Sequence, residues 1–450
     1  MKPTYEELFE TVRLLSAANF KLLEENKRLQ KRIAELEERL NLNSKNSSKP
    51  PSTDQKKNKR SPKGGAAPGH KGHYRQLTDV IDKRVISSLE ECMYCGSKHL
   101  EKKTSSILQQ IEIPEIKPVV TQIEREKGQC CSCRRNLIAP FPQEYDHSSF
   151  GPKLVSVIGL CSSVYRMSKR TIQAFLKTVL GVDISLGSIP AMERKVSKGL
   201  QPCFETLAKK IDESKVAYVD ETSFRQEART HYVWTATTQS EVFLRILPSR
   251  GLDSLNKIRP RNHKGITVTD RYPVYAYSKH QYCLAHIRRD FKKFAERDGP
   301  DGTLGRRALF ELTEIFTACR LECRKTMQQR VRYRKKRLEE ILYDAFIDGS
   351  DTFSRFADRL LDQYEKLFFF TRYEGVESTN NAAERTLRHI VLWRKTSYGT
   401  QSNEGSRFLE RAVSIWMTLK KQKRNALLFF QQAYLSSFHP HYTTPVLCPH

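Results

Sequence analysis

Leu8, Leu15, Leu22, Leu29 and Leu36 recur every seven residues, with Val12, Asn19, Asn26, Ile33 and Leu40 falling between them. The spacing predicts one helix within residues 1–43 carrying a narrow apolar seam, Leu at d and Val, Asn, Asn, Ile and Leu at a. Leu at d with β-branched residues at a favours two parallel strands, and a buried Asn at a fixes their register. A helix that packs on its own protein's core usually shows a wider apolar face. The seam therefore predicts self-association as a homodimer or higher oligomer.

The pattern breaks near Asn41, and residues 44–84 carry Pro50-Pro51, Gly64-Gly65 and eleven Lys/Arg against three Asp. Such a stretch reads as a flexible basic linker. Residues 85–145 hold two C-x-x-C pairs, Cys92/Cys95 and Cys130/Cys133, with strand-like runs at 107–113 and 119–124 that could form a hairpin between them. Four thiolates in tetrahedral array would close a structural Zn2+ site. Cys131 is a spare thiol; Cys130 is favoured as the ligand because the two-residue spacing lets backbone N–H groups reach the sulfurs. In the helical region 146–210, Ser168 caps a stripe of Ile172, Phe175, Leu176 and Val179 that ends at Gly181, and a second helix starts near Ser188 with Pro190 in its first turn. Helix, glycine turn, helix is the outline of a DNA-reading module and of any helical hairpin alike.

Apolar, β-rich runs predict strands at 215–220, 231–237, 242–247, 265–270 and 281–285, with a short helix near 252–258. Three strands, a helix, then strands alternating with helices is the order of a ribonuclease-H-like α/β domain. There the first and fourth strands lie side by side and parallel, so Asp220 and Asp270 at their ends would meet. Ala383, Leu387, Ile390, Val391 and Arg394 share one face of a later helix, with Asn380, Glu384 and Arg388 as the adjacent polar row. This phase favours Glu384 over Glu374 and Glu377 as a third acid. Glu221 adjoins Asp220 but points to the opposite strand face. Converging carboxylates are hard donors suited to Mg2+ or Mn2+, and two such ions about 3.5–4 Å apart can clamp a scissile phosphate.

Asn46-Ser47-Ser48-Lys49-Pro50-Pro51-Ser52, the paired C-x-x-C knuckles, Tyr218-Val219-Asp220-Glu221-Thr222, Ala285-His286-Ile287-Arg288-Arg289-Asp290-Phe291 and Thr379-Asn380-Asn381-Ala382-Ala383-Glu384-Arg385 together resemble the transposase of IS66-type bacterial insertion sequences. The resemblance runs from the heptad seam to about residue 425. It implies a DDE transposase in which Asp220, Asp270 and Glu384 hold the catalytic metals. It also implies that residues 292–375 form a helical insertion ahead of the last catalytic helix. The implied reaction is cleavage at the element's ends and transfer of the freed 3′-OH into target DNA, with accessory proteins of the element as candidate partners.

Charge agrees with a DNA partner, since 78 Lys+Arg against 51 Asp+Glu leave a net +27. Nine Lys/Arg crowd Arg320–Arg337, and His286, Arg288, Arg289, Arg385, Arg388, Arg394 and Lys395 flank the acids as candidate DNA contacts. No apolar run long enough to span a bilayer and no secretory h-region is present, and the eleven cysteines are scattered. A cytoplasmic, nucleoid-associated protein with no membrane partner is expected. The fold expected is multidomain α+β: coiled coil (1–43), linker (44–84), small zinc-binding β-rich module (85–145), helical DNA-binding region (146–210), ribonuclease-H-like core (211–291) with helical insertion (292–375), closing core helices (376–435) and a tail (436–450). Two other functions compete: a metal-dependent nuclease on the same fold, and a non-catalytic zinc and zipper DNA-binding regulator.

Overall fold

A computed structural model describes residues 4–43, 70–72, 75–101, 106–145 and 148–447; most of the expected basic linker lies outside them. Helix α1 (Tyr5–Asn41) opens on a capping box, Thr4 Oγ1 accepting from the Glu7 N–H and Glu7 accepting from the Thr4 N–H at 2.8 Å. Its d-position leucines Leu8, Leu15, Leu22, Leu29 and Leu36 stand between 43% and 64% exposed. Within one chain, the seam is uncovered.

In the cysteine region the strands form elsewhere than expected. Among the described residues there, only β1 (Lys127–Gln129) and β2 (Asn136–Ile138) pair, bracketing the second knuckle, whereas 107–113 and 119–124 are irregular. Leu108 and Val119 are 91% and 93% exposed, so no apolar layer covers these runs and nothing selects strand pairing.

Residues 216–282 contribute one five-stranded sheet, ordered β5-β4-β3-β6-β7. Its strands are β3 (Val216–Gln226), β4 (Arg229–Thr237), β5 (Val242–Leu247), β6 (Ile266–Thr269) and β7 (His280–Tyr282). The first three are antiparallel, whereas β3–β6 and β6–β7 are parallel. The expected neighbourhood of first and fourth strands is therefore observed. One boundary differs. β3 continues past Asp220 to Gln226, because a two-residue hairpin at Glu227 and Ala228 folds β4 back onto it. Both turn residues have positive φ, 51° and 60°, as that hairpin geometry demands.

Helices sandwich the sheet. α2 (Pro152–Ser163), α4 (Ser188–Glu213) and α13 (Ala426–Ser436) share one core with Val219, Trp234, Ala236, Phe243 and Leu247. That core crosses the expected boundary at 211 without a break. α3 (Lys169–Leu180) ends at Gly181, φ 66°, in the left-handed conformation expected of a helix-ending glycine. On the other face, α6 (Leu284–Ala295), α7 (Gly299–Ala318), α8 (Arg324–Asp348), α9 (Asp351–Asp362) and α10 (Phe369–Arg372) pack together and against Tyr218, Ile266, Val268 and Tyr282. Between residues 292 and 375 the chain is thus mainly helical. The short α5 (Leu252–Asn256) precedes β6. Part of the tail is anchored, with Lys210 donating to the Leu447 carbonyl at 2.7 Å.

Arg259 sets the strand junction. Fully buried, it donates to Thr267 Oγ1, the Ile211 and Ser214 carbonyls and Ser214 Oγ at 2.8–3.1 Å. Its guanidinium therefore locks the end of α4 and the approach to β3 onto β6.

The edge strand is closed by a helix. α11 (Asn381–Ser397) and α12 (Asn403–Lys421) cover β4 and β5, and α12 runs along β5. Glu410, Ser414 and Thr418, one turn apart, accept the outward N–H groups of Ile246, Leu244 and Val242. A polar ladder thus does what a sixth strand would do and blunts the sheet edge.

Burial pushes the Glu410 carboxyl up to about 7. The folded chain then holds this proton more tightly than the unfolded one, so the group's contribution declines as pH rises from 4.5 to about 7. Glu410→Gln keeps an acceptor for the Ile246 N–H and removes that decline. Urea melts at pH 5 and pH 8 should show the variant gaining roughly 2–3 kcal/mol relative to the parent over this range; equal slopes would contradict the assignment.

Candidate active site

Tyr218 pairs with Val268 in the parallel ladder, and continuing that register sets Asp220 opposite Asp270. The pairing is short, and both acids lie just beyond it, where the strands splay and side chains become reachable. Side chains alternate along β3, so Tyr218 and Asp220 share the face covered by α11, while Val219 and Glu221 face the other core. Glu221 is held there by Arg250 and by the Tyr275 hydroxyl, consistent with its exclusion from the acid set.

Glu384 returns to these strands after more than a hundred residues. It occupies the first turn of α11, whose Ala383, Leu387 and Ile390 are buried as the helical phase predicts; Trp393, rather than Val391, completes the buried face. Anchors fix the approach to this helix. Asn380, 1% exposed, donates its side-chain amide to the Val219 carbonyl at 2.8 Å, one residue before Asp220. The Tyr218 hydroxyl donates to the Gly375 carbonyl at 3.3 Å and accepts from the Glu377 N–H at 3.0 Å. The Leu284 N–H donates to the Ser378 carbonyl at 2.9 Å, tying the start of α6 to the same segment. Glu374 and Glu377 are exposed on this approach, outside the acid set.

The three carboxylates feel one another. Burial raises Asp220 well above the usual carboxylate range, and the charges of Glu221, Asp270 and Glu384 push it the same way, against the Glu221 N–H donated to Oδ1 at 2.9 Å. Burial also raises Asp270, opposed by the Tyr272 N–H at 2.9 Å and by Arg250, Arg271 and Arg289. Glu384 is raised by burial and by Asp270, and lowered by Arg289 and Arg385. One of its oxygens, Oε1, is buried without a hydrogen-bond partner, although the side chain is 39% exposed overall. Like charges are held together here in a partly desolvated place.

The flanking cations divide. His286, Arg288 and Arg289 lie on α6, which begins at Leu284. Arg289 approaches Glu384 Oε1 to 4.0 Å and His286 Nε2 to 3.7 Å; burial pushes the imidazole down to about 4, so it is neutral near pH 7. Arg288, Arg385, Arg388 and Lys395 are exposed. Arg394 is engaged instead, donating to Thr222 Oγ1 and Ser223 Oγ at 3.1 and 3.0 Å, which pins α11 to β3. Sequence reasoning missed Asn380 as an anchor and the grouping of Cys283, His286 and Glu384, whose ligand atoms lie within 4.8 Å of one another. The Cys283-x-x-His286 spacing was the available signal.

The cysteine pairs are preformed one at a time. The Cys92 sulfur accepts from the backbone at Tyr94 and Cys95 and is paired with the Cys95 thiol; the Cys130 sulfur accepts from Ser132 and Cys133 in the same manner. These hydrogen bonds lower both Cys92 and Cys130. Cys95 and Cys133, the second thiol of each knuckle, are exposed. The expected Zn2+ set joins these two pairs, Cys92 and Cys95 with Cys130 and Cys133. Among the described residues the four thiols do not form one group within 4.8 Å, the span within which Cys283, His286 and Glu384 gather.

The family model described as "Transposase IS66 family" matches residues 147–407, from just before α2 into α12 and including all three acids. The chain belongs to the IS66 transposase family. A second model, a family of unknown function (DUF6444), matches residues 2–76. The chain is also similar to the uncharacterized protein y4hP of Sinorhizobium fredii, 23% identical over 373 residues, which cover 72% of this chain and 66% of that protein. No described helix of this transposase-family chain is long and apolar enough to cross a membrane.

Repulsion within the acid set makes a direct prediction. In metal-free buffer near neutral pH, Asp220→Asn should raise the melting temperature by a few degrees, since it removes a buried carboxyl that faces Glu221, Asp270 and Glu384. An unchanged or lowered melting temperature would contradict the coupling.

Proposed function

We propose that this IS66-family protein is a DDE transposase that cuts the ends of its insertion sequence and joins the freed 3′-OH to target DNA. What supports the reading is that the register of β3 on β6 sets Asp220 opposite Asp270, and that the charges of Asp270 and Glu384, from separate segments, both bear on Asp220. Like charges held in a partly desolvated place call for compensation, which Arg250, Arg271 and Arg289 offer to Asp270 and Arg289 and Arg385 to Glu384. A site of hard carboxylate oxygens, one of them buried and unpaired, fits Mg2+ or Mn2+. Bound there, the divalent ion supplies Lewis acidity for activating water or a 3′-OH and for stabilising the leaving oxygen.

The chain's own contributions follow from position. Asp220 on β3 and Asp270 just past the end of β6 have short side chains next to paired strands, which limits how far their carboxyls can move relative to each other. Glu384 is longer, sits on a helix and keeps one oxygen toward solvent, so it can adjust between cutting and joining. The five-strand order supports assigning these residues to a ribonuclease-H-like domain with a helical insertion. Arg288, Arg385, Arg388 and Lys395 offer exposed cations for phosphates, so binding should weaken steeply with salt. The hairpin α3–α4 is a candidate DNA reader and α1 a candidate dimerisation helix. The knuckles Cys92/Cys95 and Cys130/Cys133 remain a candidate Zn2+ module only if the ion itself draws the two pairs together. The protein would act in the bacterial cytoplasm, on the nucleoid, with element-encoded accessory proteins as candidate partners.

The test is an in vitro reaction with labelled element ends, a target plasmid and Mg2+. Asp220→Asn, Asp270→Asn and Glu384→Gln should each cut joined product by more than the ~10–100-fold typical of outer-shell metal partners, while end binding persists. Full activity in any one variant removes that residue from the site. Cleavage without joining by the parent would point to a nuclease, and binding without cleavage to a regulator.

A further inference from the structure

Glu384 has a second allegiance within reach. Cys283 caps the start of α6 and His286 lies in its first turn, so the two-residue spacing turns thiol and imidazole toward the same side. α11 delivers Glu384 to them from across the site, and ligand atoms of all three lie within 4.8 Å of one another. Cys283 is wholly buried, and its sulfur accepts the Asn380 N–H at 3.1 Å, which fixes it beside the α11 entrance.

The polar atoms of this group are unusually short of partners. Glu384 Oε1 and His286 Nδ1 are buried and accept or donate no hydrogen bond. His286 Nε2 stands 3.7 Å from Glu384 Oε1, too far for a hydrogen bond and close enough for both to reach one ion. The donor set is sulfur, nitrogen and oxygen. Mg2+ prefers oxygen ligands throughout, whereas thiolate, imidazole and one carboxylate select Zn2+ and similar ions. Three protein ligands leave a fourth position for water, the signature of an open, exchangeable site rather than a closed structural one.

We infer that Cys283, His286 and Glu384 form a binding site for Zn2+ or a like thiophilic dication, and that filling it draws Glu384 away from Asp220 and Asp270 and arrests the reaction. The arrest rests on the proposed role of Glu384; the binding site does not. On binding, the Cys283 thiol releases its proton to solvent, and thiolate and carboxylate together balance the dication. Arg289, 28% exposed and 4.0 Å from Glu384, has room to swing toward solvent.

Cobalt(II) titrated into the full-length protein reports thiolate ligation through its charge-transfer band. The parent minus Cys283→Ser difference should saturate at one cobalt per chain and be abolished by Zn2+; the N-terminal cysteines cancel in the difference. His286→Gln, which leaves the thiol in place, should keep the band with cobalt affinity lowered at least ~10-fold, so the site is tested even if the serine variant folds poorly. Identical cobalt spectra and affinities in parent and variants overturn the site. In Mg2+-supported cleavage, added Zn2+ should slow the parent at least ~10-fold and Cys283→Ser far less. A cobalt difference without zinc inhibition overturns the arrest. A cobalt difference in a protein that cleaves under no condition supports the site and overturns the transposase reading instead.

Discussion

One hydrogen bond closes the architecture: the buried Asn380 amide donated to the Val219 carbonyl at 2.8 Å. It joins the strand that carries Asp220 to the helix that carries Glu384. The helices between β7 and α11 could pack into a stable body on their own apolar faces with α11 in many places. Asn380, the Tyr218 hydroxyl and the Ser378 carbonyl reduce those places to one. Because backbone and buried side-chain groups make these bonds, breaking them would leave unpaired polar atoms in the interior, at about 1–3 kcal/mol each.

Holding the acids together is costly, and the rest of the domain is built to bear that cost. Arg259 locks β3 and β6 into register from below, with five hydrogen bonds and no ion pair. α12 seals the far edge through Glu410, Ser414 and Thr418. α11 is pinned along β3 by Arg394 and by the stacking of Trp393 on Phe224 at 5.9 Å. The frame therefore holds the backbones that carry Asp220 and Asp270 in place, while the longer, partly exposed Glu384 side chain keeps freedom to move. In that sense the site is preorganised for positive charge.

Much of this could be read from the chain. Strand periodicity located β4 and β5 closely and helical phase located the buried face of α11, because both signals come from apolar residues that must be buried, while the order of the elements paired the first strand with the fourth. Other features left no such trace. β3 outlasts Asp220 because of a hairpin turn built without glycine, which carries no turn signature. The ladder on α12 hides in a helix that looks merely interrupted by polar residues, since its partners are backbone groups more than 160 positions away. Arg394 reads as a surface cation in sequence and is a strand clamp in space. Between the knuckles, strand-like runs suggested a hairpin, yet among the described residues no layer covers Leu108 or Val119. Spacing alone therefore marks Cys92 with Cys95 and Cys130 with Cys133, but not the joining of one pair to the other.

The central claim is that Asp220, Asp270 and Glu384 form a single hard-metal site. Fe2+ substituted for Mg2+, with ascorbate and peroxide, generates radicals that cut the backbone beside the bound ion. The account predicts metal-dependent cuts in all three segments, around Asp220, Asp270 and Glu384, all suppressed by excess Mg2+. Cuts confined to one segment, or unaffected by Mg2+, would contradict it.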